Sequence, residues 1–185
     1  MIRSIRILVL LTAAAGLLAG CGNRHAIVHV AETEGIYVDV GALDYQVQLS
    51  RELNPNVTPD NGYLAGLPEF IGTPDEDETW FAVFMRVQNQ TDEPHDTAEE
   101  FEIVDTQEKV YRPVELDAES NPQAYTAVTL PPGEVFPSAD SLSGDSPTQG
   151  RLLLFRVTYE SLQNRPLVLK IMGPEGDEAE VDLDV

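Results

Sequence analysis

Apolar and polar side chains alternate along much of this chain. Leu43, Tyr45, Val47 and Leu49 take turns with Asp44, Gln46, Gln48 and Ser50, the period of a strand with one face in a core and one in water. Trp80–Val87 reads Trp-Phe-Ala-Val-Phe-Met-Arg-Val, with apolar residues at both parities, and predicts a central strand buried on both faces. Phe101 and Ile103 begin another strand, with a turn at 106–109 and a return through Val110 and Tyr111 that Pro113 confines to an edge or an ending. Further strands are expected at Tyr125–Leu130, Val135–Phe136, Leu152–Tyr159, Leu167–Ile171 and Val181–Val185. Pro131-Pro132-Gly133, the Ser-, Gly- and Asp-rich stretch 140–150 and Gly173-Pro174-Glu175-Gly176 separate them as turns and loops. No long stretch carries a helical period.

The pattern therefore predicts an all-β domain over 36–185, an antiparallel sandwich of seven to nine strands. Trp80, Phe84, Val87, Phe101, Leu153, Phe155 and Leu169 are expected to face a common core. The punctuators between Asn54 and Glu78 mark a long loop ending in the acidic run Asp75-Glu76-Asp77-Glu78. Its Tyr63, Leu64, Leu67, Phe70 and Ile71 are expected to pin it to the sandwich. Of these, Tyr63, Leu64, Phe70 and Ile71 are also the candidate contacts for a partner.

The first residues follow a different pattern. Arg3 and Arg6 precede an uncharged run, Ile7–Ala19, which is too short for a membrane span of about 20 residues. Small Ala19 and Gly20 close it, as in a secretory signal. Leu18-Ala19-Gly20-Cys21 resembles the bacterial lipobox and contains the only cysteine of the chain. That resemblance implies cleavage between Gly20 and Cys21, a diacylglyceryl group on the Cys21 thiol, and an acyl chain such as palmitate on the new amine. Two or more chains make a stable anchor where one does not. The expected organisation is then a signal over 1–20, a lipidated tether over 21–35 and the domain from 36 onward. The expected location is the cell membrane, facing outward.

The chain has 32 acidic and 11 basic residues, a net charge of −21. Without residues 1–20 it carries 9 basic residues against the same 32 acids, or −23. Such a charge repels nucleic acid and anionic headgroups and is read mainly as a solvated surface.

Signs of chemistry are sparse. His25, His29 and His95 are scattered, where zinc needs three or four converging ligands. Ser141, Ser143 and Ser146 lie in a loop without a nucleophile elbow. Asp75–Glu78 and Gly176-Asp177-Glu178 offer hard oxygen ligands for calcium but lack EF-hand spacing. No catalytic residue, cofactor or metal site is assigned.

A second resemblance spans Tyr37 to the end. Trp80–Asn89, Phe101–Asp105 with Tyr111, Leu130-Pro131-Pro132-Gly133-Glu134 and Gly150–Phe155 resemble the immunoglobulin-like extracytoplasmic domains of unknown function in bacterial lipoproteins, similar in fold to mycobacterial small secreted antigens. The resemblance implies fold and location and carries over no catalytic residue. The expectation is a non-catalytic binding or structural module, with an envelope protein or ligand as partner. Two alternatives stand beside it: an envelope hydrolase using acids of the long loop such as Asp75 and Asp77, and a calcium-stabilised adhesion module.

Overall fold

The computed structural model describes residues 27–184; Cys21 and the expected signal lie outside the described residues. In chain order the elements are β1 (Val30–Ala31), β2 (Tyr37–Val40), β3 (Leu43–Leu53), a one-turn helix α1 (Asp60–Tyr63), β4 (Glu78–Gln88) and β5 (His95–Asp96). Then come β6 (Glu100–Val104), β7 (Val110–Tyr111), β8 (Thr129–Leu130), β9 (Val135–Phe136), β10 (Arg151–Thr158), a 3-10 turn (Ser161–Gln163), β11 (Leu167–Met172) and β12 (Glu178–Leu183). The protein is an antiparallel β-sandwich. Seven of these strands have four or more residues, and five are two-residue pairings. Of the expected strand over 125–130, only Thr129–Leu130 forms.

One sheet runs β1-β12-β11-β6-β7 and the other β10-β4-β3-β2, while β5 and β8 make a separate pair. Every strand pair is antiparallel except β1 with β12. The chain changes sheet between β1 and β2, between β4 and β6, between β7 and β9, and again between β10 and β11. This places β3-β4-β10 opposite β12-β11-β6, as the A-B-E and C-F-G strands lie in an immunoglobulin-type sandwich. On its free side β4 pairs with β10 over Glu78–Met85 and with β9 at Val87 and Gln88. The segment 137–150 is thus an excursion that interrupts one strand line.

β4 has the two buried faces its composition predicts, and they belong to different cores. Phe81, Val83, Met85 and Val87 point between the sheets with Phe101, Leu153, Phe155 and Leu169. Trp80, Ala82 and Phe84 point outward into a second core with Leu53, Tyr63, Leu152 and Leu154. The expected common core is therefore corrected: Trp80 and Phe84 are an odd number of residues from Val87 or Phe81, so period two turns them to the other face.

β3 serves both cores through a bulge. Val47 pairs with Met85 but Leu49 pairs with Phe84, so Gln48 is an extra residue. Before it, Leu43, Tyr45 and Val47 face the inter-sheet core. After it the parity flips, and Leu49 and Leu53 join the outer core. Leu49 therefore does not share the face of Val47, as unbroken alternation had implied.

The loop from Asn54 roofs the outer core. Tyr63 is 6% exposed and meets Phe84 edge-on at 5.0 Å between ring centroids. Leu64, Leu67 and Ile71 pack around them. Phe70 does not pin the loop: it is 86% exposed. Arg51 donates to both carboxylate oxygens of Asp60, at 2.9 and 2.5 Å, and so ties α1 to β3. Asn121 Nδ2 donates to the carbonyls of Tyr63 and Ala65, and Asp117 N to that of Gly66. Gly66 has φ +75°, and a Cβ there would lie 2.6 Å from the Asp117 carbonyl oxygen, so the joint between the two loops needs glycine.

The domain begins earlier than Ile36. β1 pairs with β12, Asp39 N donates to the Val28 carbonyl, and Glu34 accepts from the Ser50 hydroxyl and amide. Residues 28–34, expected to be tether, are held by the sheet because the added pairs satisfy edge groups of β12 and β2.

Phe84→Ala and Phe155→Ala are each expected to cost about 3–5 kcal/mol in urea unfolding, since each removes a ring enclosed on all sides. A single urea transition with the parent's slope in both variants would show that the two cores unfold together.

Candidate functional site

Sheet edges are where strand order leaves backbone unpaired, and the β6 edge positions the site. Glu100, Phe101 and Glu102 pair with Met172, Ile171 and Lys170 of β11 on one side. On the other side β7 pairs only with Ile103 and Val104. After Tyr111 the chain leaves this edge. Pro113 has no N–H to donate, and Val114 N donates instead to Leu154 of the opposite sheet. The chain then crosses the outer layer and re-enters at Tyr125, whose amide donates to Leu152. Farther along the edge, Thr97 N donates to the Val128 carbonyl. Among the described residues, Glu99–Glu102 therefore has no strand partner on its outer side.

A groove of about 680 Å³ opens at this gap, between the β6 edge and β10. Its floor is apolar and fixed. Phe101 and Tyr125 meet edge-on with centroids 5.0 Å apart, and Leu152 and Leu153 line the groove with them. Tyr125 Oη donates to the Ala98 carbonyl at 2.8 Å, and Ala98 N donates to Tyr45 Oη at 2.7 Å. Burial pushes the Tyr45 hydroxyl up to about 12. Burial and, secondarily, the adjoining Tyr45 push Tyr125 up further still. Both phenols are neutral near neutral pH and lock the floor rather than ionise.

The walls carry the charge. Glu99, Glu100 and Glu115 are exposed, and Glu102 is half-buried and accepts from Arg112 Nη2 at 2.5 Å. Four carboxylates thus face one guanidinium that is already paired. Beyond the groove lining, Asp105 holds the turn from β6 into β7. It accepts from Ser161 Oγ at 2.6 Å and from the amides of Gln107 and Lys109 at 2.8 and 3.0 Å. Ser161 also meets Tyr111 Oη at 2.6 Å. This network ties the hairpin to the β10–β11 crossover. Burial pushes the Asp105 carboxyl up, but these hydrogen bonds outweigh it and hold the group below its ordinary range.

The residues nominated from sequence lie elsewhere. Gly20 and Cys21 are outside the described residues. Tyr63 is buried, Leu64 and Ile71 are half-buried in the roof, and only Phe70 presents its side chain to solvent. Asp75 and Asp77 are exposed on a turn outside the groove. Asp77 uses its carbonyl to accept Tyr159 N, while neighbouring Glu78 pairs with Arg156 at 3.2 Å. Glu178 pairs with Lys170 at 3.1 Å. Among the described residues no three His, Cys, Asp or Glu side chains converge as metal ligands. His29 Nδ1 lies 3.0 Å from the Asp39 carbonyl, and His95 opens β5.

Fold and site together define a β-sandwich with a roofed outer face and an acidic groove on one flank. Neither a protein-family model nor a curated protein matches this chain. Solved structures do. The yjhA protein from Bacillus subtilis is similar at 11% identity and TM-score 0.49, over 83% of this chain and 99% of that one. A conserved hypothetical protein from Bacillus anthracis is similar at 13% identity and TM-score 0.45, over 80% and 94% of the two chains. An uncharacterized beta-sandwich protein from Clostridium difficile 630 is similar at 9% identity and TM-score 0.43, over 88% and 99%.

Asp105→Asn is expected to cost about 1–3 kcal/mol at pH 7, because it weakens a buried acceptor of several hydrogen bonds. Asp105 binds protons less readily in the folded chain than in the unfolded one. Its contribution is therefore complete above the ordinary carboxylate value and lost as pH falls through its lowered folded value. The gap in melting temperature between parent and variant should narrow below about pH 4. A gap that stays constant down to acid denaturation would rule out this role.

Proposed function

We propose that this protein is a non-catalytic binding module, anchored outside the cell membrane through lipid on Cys21, with the flank groove as its ligand site. The groove is the observation that carries the reading. Its size falls within the range of about 300–1,000 Å³ typical of ligand pockets, and its apolar floor with a few polar wall groups fits that pattern. The floor is pre-organised by the Tyr45–Ala98–Tyr125 hydrogen bonds, which lowers the ordering cost of binding. Among the described residues the polar groups of the lining are four glutamates, Arg112, Tyr125 and Thr126, with no His, Lys, Ser or Cys beside them. The acids of the hydrolase alternative, Asp75 and Asp77, are outside it.

The anchor reading rests on the Leu18–Cys21 motif at the end of the apolar run. No helix among the described residues is long and apolar enough to cross a membrane. β1 lies at one edge of its sheet and β6–β7 at the other. A tether leading into β1 would hold the groove on the flank away from its attachment.

Two measurements test the two halves. Cys21→Ser is expected to abolish lipid labelling and leave the chain uncleaved; labelling at the parent level would refute the anchor. A photo-crosslinking residue in place of Thr126 is expected to give a discrete adduct in cell envelopes, lost when Ala127→Trp fills the groove. An adduct indifferent to Ala127→Trp, or formed equally from position Phe70, would move the binding surface elsewhere.

A further inference from the structure

We propose that the groove takes a short, extended, basic peptide segment, which adds as a strand along Glu99–Glu102. The inference rests on the reading of the groove as a binding site and names its occupant.

Backbone is the first argument. Ile103 and Val104 are covered by β7, Thr97 by Val128, and both polar backbone groups of Ala98 by Tyr45 and Tyr125. Between them lies a strand edge that, among the described residues, is paired on one side only. An extended ligand satisfies such an edge with main-chain hydrogen bonds, which a compact ligand does not. The gap is four residues, or about 13 Å at roughly 3.3 Å per residue, so the segment is short.

Side-chain alternation is the second. Phe101 points into the floor, whereas Glu100 and Glu102 point away from the core. Residues directly opposite one another on antiparallel strands share a face. A strand added here sets one side chain over Phe101 and Tyr125 and its two neighbours against Glu100 and Glu102. The pattern this favours is basic, apolar, basic.

Charge is the third. The groove walls hold four glutamates against Arg112, which is committed to Glu102. The chain as a whole is at −21, so a basic segment is drawn in and an acidic one repelled.

The test is fluorescence polarisation with the full-length protein and a labelled Lys-Val-Lys-Val-Lys peptide at low ionic strength. Saturable binding is expected. It should weaken about tenfold or more in Glu100→Lys/Glu102→Lys, whose circular dichroism should match the parent, and in Ala127→Trp. The same peptide with alternate backbone amides N-methylated keeps its charge and should also lose about tenfold. Equal binding of the methylated peptide, or competition by spermine at equal charge, would overturn strand addition in favour of plain cation binding. No saturable binding would overturn the proposal outright. If the peptide fails while the Thr126 adduct still forms and is lost in Ala127→Trp, the peptide assignment falls and the groove reading stands; if the adduct is also absent, both fall.

Discussion

A strand with large apolar side chains on both faces must be covered on both, and β4 imposes that demand here. Phe81, Val83, Met85 and Val87 would be satisfied by an ordinary two-sheet sandwich. Trp80 and Phe84 would not, since full burial of an aromatic side chain is worth about 1.5–3 kcal/mol that exposure forfeits. The chain answers by laying the 54–78 loop and residues 114–121 over the outer face, making a third layer out of segments with almost no regular structure. Arg51–Asp60 and the Asn121 amide hold that layer where strand ladders cannot.

The third layer also explains the groove. To roof Phe84, Leu152 and Leu154, the chain after β7 must leave one sheet, bridge to the other at Val114, and come back at Tyr125. A strand that had continued past Tyr111 would have closed the edge at Glu99–Glu102. The groove is what remains when the same residues are used to cover the outer core. Its rigidity follows from its position, since Phe101 and Tyr125 are packed against the main core beneath.

Much of the fold was legible in the sequence, because period two and turn residues are local signals. The doubly apolar run at Trp80–Val87 announced a central strand, and Pro113 marked the end of pairing after Tyr111. The bulge at Gln48 was not legible: nothing distinguishes that glutamine from Gln46, and its extra residue is visible only against the partner Met85–Phe84. Nor could composition separate Ile71, which packs, from its exposed neighbour Phe70, since loop geometry decides which of two adjacent apolar side chains faces the protein. The groove residues were missed for a related reason. Glu100 and Glu102 read as the wet face of a strand, which they are, while the unpaired edge between them depends on strand order across residues far apart in sequence.

The excursion over 137–150 has a different consequence. It leaves from β9 and returns in β10, both of which lie along the same side of β4. Its two ends are therefore held side by side by a strand that belongs to neither. The number of residues between them is free of the register that governs the rest of the molecule, and closing a longer loop across fixed ends costs little more than closing a short one. With Leu142 exposed near its tip, the excursion admits new sequence there without asking either core to change, so long as buried Ser143 keeps its hydrogen bond to the Pro122 carbonyl and Gly144 its close approach to Ser138.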